Sequence, residues 1–111
     1  DPDVGRGRAD FVVGDCFGSS CAPYITDTIE RSISSFGYYV ARNKPFAGGF
    51  TTRHYGQPQD NVHSVQIEIN RALYMDEIRI EKNAGFDRIA AQMTNVIAAL
   101  AQLMAPDLAA E

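Results

Sequence analysis

A carboxylate set into an alternating apolar run is the residue in this chain best placed to do chemistry. In Val62-His63-Ser64-Val65-Gln66-Ile67-Glu68-Ile69-Asn70, Val65, Ile67 and Ile69 share one strand face, while Gln66, Glu68 and Asn70 line the other. A Glu in a strand buried on both faces is costly unless it is paired, bound to a metal or working as a base. An edge strand with one solvated face would carry the same residue at no cost. The residues that follow, Arg71-Ala72-Leu73-Tyr74-Met75-Asp76-Glu77, add polar groups at the strand's C-terminal end, where open α/β sheets bind ligands. Glu68 is therefore the first candidate for a working residue, with the paired, metal-bound, basic and solvated readings all open at this point.

Three arginines are candidates for gripping an anion. Arg42 closes a strand, Arg53 sits in a Gly-rich stretch, and Arg71 follows the Glu68 strand. A surface ion pair is the usual fate of each. Gripping a carboxylate favours a planar, bidentate donor, which Arg supplies and Lys does not. Arg53 is preferred, because Gly48, Gly49 and Gly56 let backbone approach a ligand closely. Asn43 in the same stretch is a candidate hydrogen-bond partner, and Arg71 a further substrate-binding candidate.

Other constellations are weaker. His54 and His63 have Gln57 and Gln66 three residues on, so neither opens a His-x-x-Glu pair. A three-ligand metal site with Glu68 would need His63, which shares the strand face of Val65 and Ile67; structural or surface histidines are the better reading. Cys16 and Cys21 match no common zinc spacing and read as reduced thiols of a cytoplasmic protein. The stretch Val12-Val13-Gly14-Asp15-Cys16-Phe17-Gly18-Ser19-Ser20 lies where a phosphate loop would, yet has neither Gly-x-Gly-x-x-Gly nor a Walker Lys. A tight turn capped by Ser or Asp is expected there. No Gly-x-Ser-x-Gly elbow surrounds its serines, so nucleophilic catalysis is not supported.

The elements that must hold these residues follow from pattern. Residues 1–10 are polar and marked by Gly and Pro, a loose lead-in. Phe11-Val12-Val13-Gly14 reads as a buried strand. Pro23 suits a first helical turn, Ile25, Ile29, Ile33 and Phe36 recur at helical spacing, and Gly37 is a C-terminal cap. With a strand over residues 38–42 this makes a β-α-β unit, which favours a mostly parallel sheet flanked by helices. Residues 43–61 form a long loop with a short helical turn around residues 51–54. Ile78-Arg79-Ile80-Glu81 is open between strand and loop. Phe86, Ile89, Ala90, Met93, Val96, Ile97, Leu100 and Met104 form one apolar stripe of a long helix ending near Pro106.

A chain of 111 residues is one domain at most, with room for a modest core. At 45% hydrophobic and 22% charged residues it is neither disordered nor membranous, and no apolar run approaches the roughly 20 residues of a span. A net charge of −4 with no basic stripe argues against nucleic acid. No signal peptide is evident. The start at Asp1 rather than Met reads as processing, trimming or excerpting.

Four ordered motifs resemble the N-formylglutamate amidohydrolases, also called N-formylglutamate deformylases. They are Ala9-Asp10-Phe11-Val12-Val13-Gly14-Asp15, Asn43-Lys44-Pro45-Phe46-Ala47-Gly48-Gly49, Arg53-His54-Tyr55-Gly56-Gln57-Pro58, and Gln66-Ile67-Glu68-Ile69-Asn70-Arg71-Ala72-Leu73-Tyr74-Met75-Asp76-Glu77. The resemblance runs over nearly the whole chain, but family members are roughly twice as long or more, so residues 1–111 look like the C-terminal portion of one such domain. It implies a zinc-carboxypeptidase-like α/β fold and hydrolysis of N-formyl-L-glutamate to formate and L-glutamate, late in histidine degradation. Zinc would activate the water, and Glu68 looks like the glutamate that takes its proton. None of the family's zinc ligands falls on a residue of this chain. The isolated chain is expected to be inactive and to need the N-terminal part of the same domain. Two rivals are a hydrolase of another acyl-amino acid or peptide, and a non-catalytic module binding an acidic small molecule. An ordered loop over residues 43–56 and a solvent-facing Glu68 would favour the last.

Overall fold

The computed structural model describes residues 8–109, with side chains to residue 103. The expected lead-in over residues 1–10 lies mostly outside that range. The elements run β1 (Phe11–Gly14), α1 (Pro23–Ser34), β2 (Val40–Arg42), α2 (Phe50–Tyr55), a 3-10 turn (Pro58–Asp60), β3 (Gln66–Ile69), a second 3-10 turn (Arg71–Leu73), β4 (Met75–Asp76), β5 (Glu81–Lys82) and α3 (Phe86–Ala109).

β1 is the centre of a three-stranded sheet in the order β2-β1-β3, and all four of its residues are buried. Its alternation divides the sheet into two faces. Phe11 and Val13 point towards the helices. There they form a core with Ile25, Ile29 and Ile33 of α1 and Ile89 and Val96 of α3, and Val40, Ile67 and Ile69 pack against it. Truncating a fully buried residue such as Ile29 to Ala would cost about 2–5 kcal/mol. Val12 and Gly14 point the other way, opposite Glu68 and Gln66 of β3. The alternation expected for Val65, Ile67 and Ile69 against Gln66 and Glu68 is thus realised.

α1 begins at Pro23, whose missing N–H costs nothing in the first turn. It presents Ile25, Ile29 and Ile33 to the core, and just beyond it Gly37 adopts φ 93°, a conformation open to glycine at little cost. β1 and β2 are parallel, so the β-α-β unit forms as expected.

The sheet as a whole is mixed rather than mostly parallel, because β3 runs antiparallel to β1. The connection from β2 explains the direction. β2 delivers the chain to the C-terminal end of β1, and the following residues are tied to the loop there: Cys16 N–H donates to the Ala47 carbonyl at 2.8 Å, and Ser64 N–H to the Ser20 carbonyl at 2.9 Å. The chain enters β3 from that same end and must run back along β1.

The long loop contains α2, which covers the expected helical turn. The stretch left open between strand and loop splits. Ile78 and Ile80 sit in the turn of the β4–β5 hairpin, 95% and 75% exposed, and Glu81 begins β5. α3 is longer than expected, passing Pro106 to end at Ala109. Ile89, Met93, Val96 and Leu100 face the core, spaced four, three and four apart. Ile97, one step round from Val96, is 66% exposed and leaves the expected stripe; the side chain of Met104 lies outside the described residues. Among the described residues no helix is long and apolar enough to cross a membrane.

Candidate active site

Of the carboxylates beside β1, Asp15 and Glu68 lie on opposite faces of the sheet. Asp15 follows β1 on the helix side and is buried, at 3% exposure. Its Oδ1 accepts from Gly18 N–H and from Asn43 Nδ2, both at 3.0 Å, and Arg42 Nη2 lies 3.8 Å from Oδ2. Burial pushes its carboxyl up, but hydrogen bonds from Asn43, Gly18 and Thr26, with the Arg42 charge, outweigh that and hold it below the usual 3.8. Asn43 completes the clamp: its Oδ1 accepts from the N–H groups of Asp15 and Phe17 at 3.0 and 3.3 Å. The Asp-capped turn expected after β1 is present, with Ser19 Oγ adding a bond to the Cys16 carbonyl at 2.7 Å.

Glu68 lies on the opposite face, paired with Val12 across β1 and β3. It is exposed rather than buried, since β3 is an edge strand whose outward face is left open in this chain. With Val12 and Phe46 it lines a cleft of ≈ 60 Å³. Gln66 Nε2 donates to Glu68 Oε1 at 2.7 Å, while Gly49 N–H donates to Gln66 Oε1 at 3.0 Å. Glu68 Oε2 has no hydrogen-bond partner among the described residues. The residues just before α2 cross this same face: a Cβ on Gly14 would lie 2.6 Å from the Ala47 carbonyl oxygen, so only glycine lets the loop lie that close to β1.

The candidate substrate residues are not gathered at one place. Arg53 is exposed on α2, without an ion partner among the described residues. Asn43 ends β2 at the same end of the sheet, its amide given to the Asp15 loop. Arg71 stands at the other end, because the antiparallel course of β3 carries its C-terminus to the start of β1; its Nε is 3.7 Å from Glu77 Oε1. Arg42 takes the ordinary ion-pair role, with Asp27 at 2.8 Å and Glu30 at 3.3 Å besides Asp15.

Both nitrogens of His63 are engaged: Nδ1 accepts from Ala22 N–H at 3.1 Å, and Nε2 lies 3.0 Å from Asn61 Oδ1. That is the structural histidine expected. His54 stacks on Phe50 at the surface of α2, ring centroids 4.9 Å apart. Cys16 and Cys21 are both free thiols, and burial, assisted by the Asp15 charge, raises the Cys21 thiol above its ordinary 9.0. Among the described residues, no three His, Cys, Asp or Glu side chains converge as a metal site requires. These residues do not fit a zinc cage.

The sequence model of the N-formylglutamate amidohydrolases matches residues 1–75, which include Asp15, Asn43, Arg53, Gln66, Glu68 and Arg71. The chain belongs to the N-formylglutamate amidohydrolase family. It is similar to the N-formylglutamate deformylases of Pseudomonas aeruginosa and Pseudomonas putida, at 44% and 38% identity over 69 residues. Each match covers 61% of this chain and 26% of the relative. The crystal structure of N-formylglutamate amidohydrolase from Ralstonia eutropha JMP134 superimposes with a TM-score of 0.76 at 38% identity, covering 89% of this chain and 34% of that one. The chain thus spans about a quarter of the length of the curated relatives it matches.

Two side chains do more than the residues alone announce. Asp15 caps the turn as expected, but its burial and its links to Asn43 and Arg42 have a single signal in the sequence, an acid directly after a wholly apolar strand. Gln66 shares the face of Glu68 by alternation, and a Gln two positions from a strand Glu can reach it, as it does here.

Proposed function

We propose that these residues supply the general base and part of the substrate surface of an enzyme that hydrolyses N-formyl-L-glutamate to formate and L-glutamate. The observation that carries the proposal is Glu68. It stands on the open face of the sheet, within the stretch that matches the family, with one oxygen held by Gln66 and the other free to meet water. As water adds to the formyl carbon, Glu68 takes its proton. It then returns the proton to the departing amine as the C–N bond breaks. Arg53, exposed on α2 and without an ion partner among the described residues, grips a carboxylate of the glutamyl group through its planar fork. Asn43 serves the site by fixing the loop from which α2 springs. Zinc in the intact protein would be bound by residues outside this chain. We place the enzyme in the cytoplasm, in keeping with its two free thiols.

Formate release by the intact protein that carries this segment tests the proposal. N-formyl-L-glutamate should be cleaved at least tenfold faster, as kcat/KM, than formylated neutral amino acids, about the worth of one bidentate Arg pair. Preference for a neutral substrate would point to a hydrolase of other acyl-amino acids. The exposure of Glu68 also suits a second reading, a non-catalytic module for an acidic small molecule. Saturable binding of N-formyl-L-glutamate with no formate released would establish it.

A further inference from the structure

We propose that Gln66 is a positioning residue that holds Glu68 in its working orientation and ties it to the loop leading into α2. The proposal rests on the reading of Glu68 as general base.

The argument begins with what a backbone amide can do. The N–H of Gly49 only donates, so the group facing it at 3.0 Å must be the carbonyl oxygen of the Gln66 side chain. That assignment leaves no freedom for the rest of the amide. Its NH2 must point away from Gly49, and it meets Glu68 Oε1 at 2.7 Å. Gln66 therefore presents a donor, never an acceptor, to the carboxylate. A charge-assisted bond of this length locks one carboxylate oxygen and leaves Oε2 without a partner among the described residues.

The location agrees. Gln66 pairs with Gly14 across β1 and β3, and Gly14 is where residues 46–47 press on the sheet, with the Phe46 and Ala47 carbonyls under 3 Å from any added Cβ. The loop is pinned at this crossing, so the Gly49 N–H is a fixed reference point rather than a mobile one. Gly49 is also the residue before α2, which carries Arg53. One side chain thus connects the base to the element bearing the proposed substrate grip.

The test uses kinetics of the intact protein. Gln66→Met keeps length and removes both hydrogen bonds; Gln66→Glu keeps shape, cannot donate when ionised and sets a second negative charge beside Glu68. Expected is a fall in kcat of roughly tenfold or more for Gln66→Met, from misorientation of the base, with KM changed much less, and a larger fall for Gln66→Glu. The deciding measurement is the double variant. If Gln66 acts through Glu68, Gln66→Met in a Glu68→Gln background should cause no further loss of kcat. Losses that multiply would overturn the proposal by showing independent roles. So would an unchanged kcat in Gln66→Met alongside a crippled Glu68→Gln. Should Gln66→Met fail to fold, judged by thermal unfolding, Gln66→Glu carries the same comparison. Full activity in Glu68→Gln alone would remove the general-base reading itself, a different result from the failure of Gln66.

Discussion

The two faces of the sheet handle a carboxylate in opposite ways. On the helix side Asp15 is buried, and its oxygens are met by a backbone N–H, an amide, a hydroxyl and a guanidinium. On the other side Glu68 is exposed and has a single side-chain donor among the described residues. An acid whose acceptor capacity is consumed by fixed neighbours acts as a fastener: it joins the loop after β1 to the end of β2 and to α1. An acid with one oxygen held and one open can exchange a proton with something that arrives. The neighbours, more than the residue type, separate structure from chemistry here.

If this contrast is right, the two acids should fail in different assays. Glu68→Gln keeps the shape and the solvated environment. It should leave the unfolding midpoint of the chain almost unchanged, yet lower kcat for formate release in the intact protein by roughly 10²–10⁴-fold. Activity within a few-fold of wild type would make Glu68 an ordinary surface residue and erase the contrast. Asp15→Ala should do the reverse within the chain itself. It strands the Asn43 amide and the Gly18 N–H and leaves Arg42 with its two outer acids, so a loss of about 2–4 kcal/mol in urea unfolding is expected. A loss below about 1 kcal/mol would mean that water replaces the clamp readily and that Asp15 is less of a fastener than its burial suggests.

The same contrast shows what could be read from the residues alone. The two faces of β3 were legible, because strict alternation of Val65, Ile67 and Ile69 with Gln66 and Glu68 has one geometric meaning. The β1-α1-β2 unit was legible for a similar reason: apolar spacing in α1 and Pro and Gly at its ends agree. The direction of β3 was not, since alternation looks the same in either direction. It depends on where residues 43–65 are anchored, and those anchors are contacts such as Ser64 to Ser20, far apart in sequence. Arg71 consequently ended at the far end of the sheet from Asn43. The Asp15 clamp was hidden too. Asn43 reaches it from 28 residues away with φ 64°, a left-handed conformation that Asn tolerates but does not announce. Whether Glu68 is buried was not legible either, because an alternating strand fits an edge as well as an interior; the structure settles it for the edge.

A smaller effect is expected at Arg53, on the open side of the molecule. Arg53→Lys keeps the charge and loses the fork, and should lower kcat/KM for N-formyl-L-glutamate about tenfold in the intact protein, with little change in unfolding. Formylated neutral amino acids should be affected much less if the guanidinium holds the side-chain carboxylate. An equal loss on both substrates would move its grip to the α-carboxylate, and no loss on either would return Arg53 to the solvated surface.

The smallest effect concerns the charge on Asp15 rather than its side chain. Asp15→Asn retains an oxygen able to accept from Gly18 and Asn43, and removes only the negative charge facing Arg42. That pair spans 3.8 Å with Arg42 partly exposed, so the expected cost at neutral pH is about 1 kcal/mol. Its pH dependence has a definite sign. The hydrogen bonds and Arg42 together hold the folded carboxyl below 3.8, so the unfolded chain takes up the proton first and acid favours unfolding. The contribution is complete above the unfolded value and is lost as pH falls from about 3.8 through the lower folded value. The Asn variant has no such proton to bind. Urea midpoints of the two chains should therefore differ most at neutral pH and converge in acid, with other carboxylates cancelling in the difference. A gap that widened as pH fell would mean that burial outweighs the partners of Asp15, and that the helix side of the sheet carries a strained acid instead of a satisfied one.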